Sequence, residues 1–157
     1  MAKKILDEKW GAEVMAHNYT VIPRLLLRAQ SRLKISAMQL AVLLHLIDHS
    51  YTPGEMPWPT KRRIAERLQV STKTVQRAVQ QMELEWLIRR ERRASKKRGR
   101  ESNRYDLTPL VGRLKALAPE FKDADERAKQ HHRDVERSGF KNRSLQSASA
   151  AISGTAR

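Results

Sequence analysis

At 157 residues, with 39% hydrophobic and only 5% aromatic side chains, the chain has material for one small core and a short appendage. Thirty-two Lys and Arg against 17 Asp and Glu leave a net charge of +15 and a pI near 10.8, which points to a polyanionic partner. The absence of Cys excludes disulfides, thiolate metal sites and cysteine nucleophiles, and the longest apolar run, Leu40 to Ile47, is broken by His45 and too short to cross a bilayer. Met1-Ala2-Lys3-Lys4 is not followed by the apolar stretch of a secretory signal, so the expected compartment is the cytoplasm.

Residues 1–18 read as an arm. Ile5, Leu6, Trp10 and Val14 give Ile5 to Ala16 a loose helical set that Gly11 weakens, and the arm orders only if a partner or the core accepts Trp10. Pro23 suits the first position of a helix that Leu25, Leu26, Leu27 and Ala29 carry to about Arg32. Ser36-Ala37-Met38-Gln39 is a capping box, and the helix it opens, to about Asp48, is apolar on nearly every side; it is the expected centre of the core. His45 and His49 stand at i, i+4, but Leu46 occupies the place that a zinc-protease motif gives to Glu, so they read as helix residues and no metal or other cofactor is expected. Tyr51 to Glu55 reads as a turn and Met56-Pro57-Trp58-Pro59 as an extended edge, with Trp58 packed in the core.

Thr60 to Ile88 carries the function. Ile64, Ala65 and Leu68 define the buried side of one short helix, and Arg62, Arg63, Glu66 and Arg67 its outer side. Gln69-Val70-Ser71 breaks the pattern, with Val70 as an apolar plug and Ser71 as the N-cap of a second helix. There Val75, Ala78, Val79 and Met82 recur at i, i+3, i+4, i+7, while Lys73, Gln76, Arg77 and Gln80 point outward with Thr72 and Thr74 at the leading end. These side chains suit a major groove: Arg and Lys donate to guanine, Gln pairs with adenine, and hydroxyls reach phosphates or base edges. A solvated helix in a bundle would mix charge signs, whereas Thr72 to Gln81 holds no acid.

Leu87-Ile88 opens a strand into Arg89-Arg90-Glu91-Arg92-Arg93, Ala94 to Glu101 reads as a flexible tip, and Ser102 to Leu107 as the return strand. A hairpin after a recognition helix is a wing, here with Lys96, Lys97, Arg98 and Arg100 around Gly99 and Arg104 on the way back, able to enter a minor groove or follow phosphates. Between Thr60 and Arg104 there are 15 basic and 5 acidic residues, so two thirds of the net charge lies on this segment.

YTVIPRLLL, ISAMQLAVLLHLIDHS, GEMPWPTKRRIAERLQVSTKTVQRAVQQME and GRESNRYDLTPL, covering about two thirds of the chain, resemble the winged helix-turn-helix domains of phage and plasmid replication initiators and related bacterial regulators. The resemblance implies a mainly α fold with a small β wing and a C-terminal helix, the domain spanning residues 19–118, and a short strand from the Trp58 segment beside the wing. It departs at Trp86, where the family usually has a Gly that ends the helix in a left-handed turn.

Thr108-Pro109 reads as the N-cap and first residue of a last helix. Leu107, Leu110, Leu114, Leu117, Phe121, Ala124 and Ala128 follow at spacings of 3 and 4, a heptad stripe that Pro119 interrupts. Either Leu110, Leu114, Leu117 and Phe121 form a homodimer seam, or the first of them pack on their own domain. Residues 119–137 form a charged helical extension, and 138–157, rich in Ser and Ala, a disordered tail. Asp123, Asp125 and Glu126 read as a solvated helix start, and no enzyme motif is present. The expected function is sequence-specific binding of double-stranded DNA in transcriptional regulation; plasmid or phage replication or maintenance is the alternative, and RNA binding the alternative of another class.

Overall fold

The computed structural model describes residues 2–50, 54–91, 94–95, 99–100 and 103–137. It divides into two units, residues 1–116 and 117–157.

The first unit opens with helices α1 (Ala2–Trp10) and α2 (Ala12–Met15), parted at Gly11, whose φ of 84° no other residue adopts as freely. Trp10 stays exposed, with Lys9 Nζ 5.5 Å from its ring centre. Helix α3 is shorter than expected, Arg24–Arg28, and Pro23 caps it in an extended conformation instead of occupying its first turn. The turn after α3 still delivers Ala29, Leu33 and Ile35 to the core.

Helix α4 (Ala37–Asp48) begins at the capping box the sequence spells: Ser36 Oγ accepts from the Gln39 amide at 3.2 Å, and Gln39 Oε1 from the Ser36 amide at 2.7 Å. Val42, Leu43 and Leu46 are fully buried against α5 (Lys61–Leu68) and α6 (Thr72–Leu84), which supply Ile64, Ala65, Val75, Ala78, Val79 and Met82. Each large aliphatic group buried there contributes about 1.5–3 kcal/mol.

Strand β1 (Arg89–Glu91) pairs antiparallel with β4 (Arg104–Asp106), Arg90 opposite Tyr105. Further out, β2 (Ala94–Ser95) pairs with β3 (Gly99–Arg100), so part of the expected flexible tip is laddered hairpin. The Tyr105 amide donates to the Pro57 carbonyl at 2.9 Å, which lays the Pro57–Pro59 segment along the outer side of β4. That alternation buries Pro57 and Pro59 and turns Trp58 outward, 61% exposed. Trp58 is therefore not a core residue: with prolines on both sides facing in, an extended chain must face it out.

Helix α7 (Thr108–Glu136) contains Pro119, and Thr108 is its first helical residue, not its cap. Asp106 Oδ1 does the capping, accepting from the Thr108 amide at 2.8 Å. Leu110 and Leu114 are 3% and 8% exposed within a single chain, and Arg113 Nη1 donates to the Glu85 carbonyl at 2.9 Å. The first turns of α7 thus serve their own domain, and Leu110 and Leu114 are not free for a seam between protomers. The boundary of the units, between Ala116 and Leu117, falls in the turn where Pro119 leaves the Lys115 carbonyl without its helical donor. In the second unit Leu117 and Phe121 are half-buried and Ala124 and Ala128 exposed along the helix. Of the expected turn at residues 51–55, residues 51–53 lie outside the described residues, as does the tail from Ser138.

Candidate nucleic-acid interface

Helices α5 and α6 end in the same way, and the turn that follows the end of α3 repeats the pattern. After α3, the Lys34 amide bonds to the Ser31 carbonyl at 3.1 Å and the Ile35 amide to that of Gln30 at 3.0 Å. After α5, Gln69 bonds to Glu66 at 3.3 Å and Val70 to Ala65 at 3.0 Å; after α6, Trp86 bonds to Glu83 at 3.1 Å and Leu87 to Met82 at 2.9 Å. Each is a Schellman motif with its pivot in the left-handed region, at φ 56° for Lys34, 53° for Gln69 and 55° for Trp86. The departure noted at Trp86 is thereby resolved: the helix ends as a glycine would end it, and Trp86 accepts the strain while 70% exposed.

Between the second and third of these turns stands α6. Ser71 Oγ accepts from the Thr74 amide at 3.0 Å and lies 2.9 Å from Thr74 Oγ1, so both hydroxyls are engaged in the N-cap and fix where the helix begins. Thr72, Lys73, Gln76, Arg77 and Gln80 are exposed, as the sequence expects, on the face opposite Val75, Val79 and Met82. Lys61, first residue of α5 and half-buried, extends its ammonium to Gln76, with Nζ 3.1 Å from Oε1. Arg62 is exposed on α5, its Nε 2.7 Å from Glu66 Oε1; such a solvent-facing i, i+4 pair is screened by water and yields readily to a phosphate.

The wing is fastened to this helix. Arg90 Nη2 meets Glu83 Oε2 at 2.9 Å with both side chains largely buried, and Arg89 meets Asp106 across the strand pair. Arg104 is exposed on β4. The Arg100 backbone lies in β3; the side chains of Lys96, Lys97, Arg98 and Arg100 lie outside the described residues.

Behind the site, Asp48 ties three elements together. Thr20 Oγ1 donates to Oδ1 at 2.5 Å, Arg67 Nη1 lies 3.4 Å from Oδ2, and His49 Nδ1 3.8 Å from Oδ2. The Thr20 hydrogen bond, with His49 and Arg67, holds the carboxyl below its ordinary range although burial works against it. Burial, then the neighbouring Arg67 charge, lowers the His45 pKa, with Asp48 opposing. His49 itself caps α4, its Nδ1 2.9 Å from the His45 carbonyl. No group of three metal-ligating side chains gathers among the described residues, nor is any described helix long and apolar enough to cross a membrane.

Lys61 is the site residue that sequence reasoning overlooked. It lies outside the face pattern of α6, and only the fold of the helix-turn-helix brings it to Gln76, fifteen residues away.

Residues 33–84 match the family model described as a helix-turn-helix domain. Among curated proteins no relative matches the sequence. Among solved structures, the N-terminal domain of DnaD protein from Geobacillus kaustophilus is similar with a TM-score of 0.50 at 24% identity, over 81% of this chain and 96% of that one. A possible transcriptional regulator from Methanosarcina mazei aligns at 0.45 and 14% identity, over 76% of this chain and 99% of that one. The MepR–DNA complex of S. aureus aligns at 0.41 and 19%, over 71% of this chain and 84% of that one. The likeness to the DnaD domain is one of fold alone; in this chain α4 to α6 with the β1–β4 pair make a winged helix-turn-helix.

Proposed function

We propose that this winged helix-turn-helix protein binds specific double-stranded DNA sites as a transcriptional regulator, with α6 as the recognition helix in the major groove and the wing on the flanking backbone. The observation that carries the reading is the outer face of α6: Lys73, Gln76, Arg77 and Gln80 are exposed together in a segment without an acid, on a helix clamped at its start by Ser71 and near its end by Arg90. Such a face matches the donors and acceptors of base edges and complements phosphate charge. It calls for no cofactor and performs no chemistry on its ligand.

The protein acts in the cytoplasm as a homodimer on paired half-sites. With Leu110 and Leu114 committed to the core, the seam rests on Leu117, Phe121 and the exposed Ala124 and Ala128 of the second unit. Sedimentation of the full chain with and without a two-half-site duplex tests this; a monomer at micromolar concentration in both samples would overturn it. The regulatory role is tested by mapping bound sites across the genome of the host. Sites concentrated upstream of transcription units support it, whereas sites confined to origin repeats would assign the protein to replication or plasmid maintenance. Preference for structured RNA over duplex DNA in direct competition would refute the DNA reading itself.

A further inference from the structure

Gln76 was expected to read adenine, because a free glutamine amide offers adenine one acceptor and one donor. In the folded protein that amide is not free. Lys61 Nζ lies 3.1 Å from its Oε1, and an ammonium has three donors and no acceptor, so it can meet only the oxygen end. The contact is built into the motif. Lys61 follows the Thr60 N-cap of α5, whose hydroxyl accepts from the Arg63 amide at 3.1 Å. Gln76 lies in the second turn of α6, behind the Ser71 N-cap, and the Schellman turn at Gln69 and Val70 fixes the two helices against each other.

The geometry points to Lys61 as a specificity-determining residue that turns Gln76 from an adenine reader into a donor, so that Gln76 selects a base-edge acceptor, guanine first and thymine second. The inference rests on the reading of α6 as the recognition helix. With one lone pair of Oε1 engaged by a cation and the other beside its charge, the two Nε2 amide protons are the end of the side chain that DNA meets most favourably. Adenine would have to bring its N6 amino protons to an oxygen already bound by an ammonium, and would set its own positive edge beside that charge. Guanine presents O6 and N7, two adjacent acceptors, and thymine presents O4. The nearby ammonium favours both over adenine, and guanine most.

The test is selection of preferred duplexes from a random pool at one salt concentration, for the wild type, Lys61→Met, Lys61→Arg and Gln76→Ala, followed by affinities on duplexes varied at the position Gln76 controls. That position is the one whose preference Gln76→Ala abolishes. The wild type and Lys61→Arg are expected to prefer guanine or thymine there by about fivefold or more over adenine, and Lys61→Met to shift toward adenine with other positions unchanged. Lys61→Met that weakens all duplexes alike and keeps the wild-type preference would make Lys61 a phosphate anchor and overturn the inference. A wild type that prefers adenine at that position would overturn it too. If Arg77→Ala and Gln76→Ala leave every base preference unaltered, α6 is not the reading helix; that result removes the inference together with its premise and is distinct from the other two.

Discussion

Arg89 closes on Asp106 across the foot of the wing, with Nη2 2.7 Å and Nε 3.1 Å from Oδ2. The other oxygen of the same carboxyl caps α7 through the Thr108 amide, so one side chain joins strand, strand and helix. Burial pushes the Asp106 pKa up, but the bonds from Thr108 and Arg89 outweigh it and leave it lowered. The two roles are separable. Arg89 is 63% exposed, and its ion pair should contribute well under about 1 kcal/mol, whereas the bond from the Thr108 amide to the charged carboxyl contributes about 1–2 kcal/mol. Asp106→Ala is therefore expected to cost about 1–2 kcal/mol in urea unfolding, and Arg89→Ala distinctly less. Equal losses would show that the cap carries little.

The three Schellman pivots give a second prediction. A non-glycine residue in the left-handed region costs about 1–2 kcal/mol, and the greater unfolded-state freedom of glycine returns about 0.5–1 kcal/mol of that. Trp86→Gly and Gln69→Gly, both at exposed positions, should each stabilise the first unit by up to about 1 kcal/mol and raise its melting temperature by a few degrees. A lower melting temperature for Trp86→Gly would mean that the exposed indole makes contacts worth more than its backbone strain.

What could be read from the sequence was whatever is local. The capping box at Ser36 and Gln39, the buried stripe Val75, Ala78, Val79 and Met82, and the outer face of α6 follow from periodicity and side-chain chemistry within one helix. What escaped depends on how elements meet. The sequence suggests a core place for Trp58, but the Pro57 carbonyl bonds to Tyr105 and the strand's alternation then turns Trp58 out. Leu110 and Leu114 belong to a true heptad stripe, yet a stripe does not state what covers it, and their own domain does. Lys61 was invisible because its meeting with Gln76 exists only once two helices cross.

Acid should weaken the first unit in two steps. The folded-state pKa of His45 is lowered from its ordinary 6.5, so the unfolded chain takes up a proton that the folded chain resists. The stability tied to neutral His45 is whole above pH 6.5 and is lost as pH falls toward the folded value. Asp48 is likewise lowered, from 3.8, so its contribution is present above that value and lost as pH falls through the folded value. Melting curves across this range should lose their upper step in His45→Gln, and their lower step should shrink in Asp48→Asn, with the share due to Asp106 remaining. Since the Asp48 charge supports protonated His45, Asp48→Asn should also enlarge the upper step. An unchanged profile in both variants would place the acid sensitivity elsewhere.

Helix and wing should differ in what they contribute to DNA binding. Arg77 stands exposed in mid-face on α6, where a guanidinium can meet guanine O6 and N7 in a bidentate contact. Arg77→Ala is expected to lose about 1–3 kcal/mol on the preferred duplex, little on random DNA, and to relax the preference at one base pair. Lys97 belongs to the basic run of the wing, where charge meets phosphate without regard to sequence. Lys97→Ala should weaken all duplexes alike and reduce the slope of log affinity against log salt by about one unit. The pair of measurements matters more than either alone, because a chain with a net charge of +15 binds any DNA at low salt. Specificity must be read as the ratio of cognate to random affinity near physiological salt, where counterion release no longer hides it. If Arg77→Ala lowers both affinities by the same factor, α6 contributes charge and not recognition, and base reading must be sought in another part of the domain.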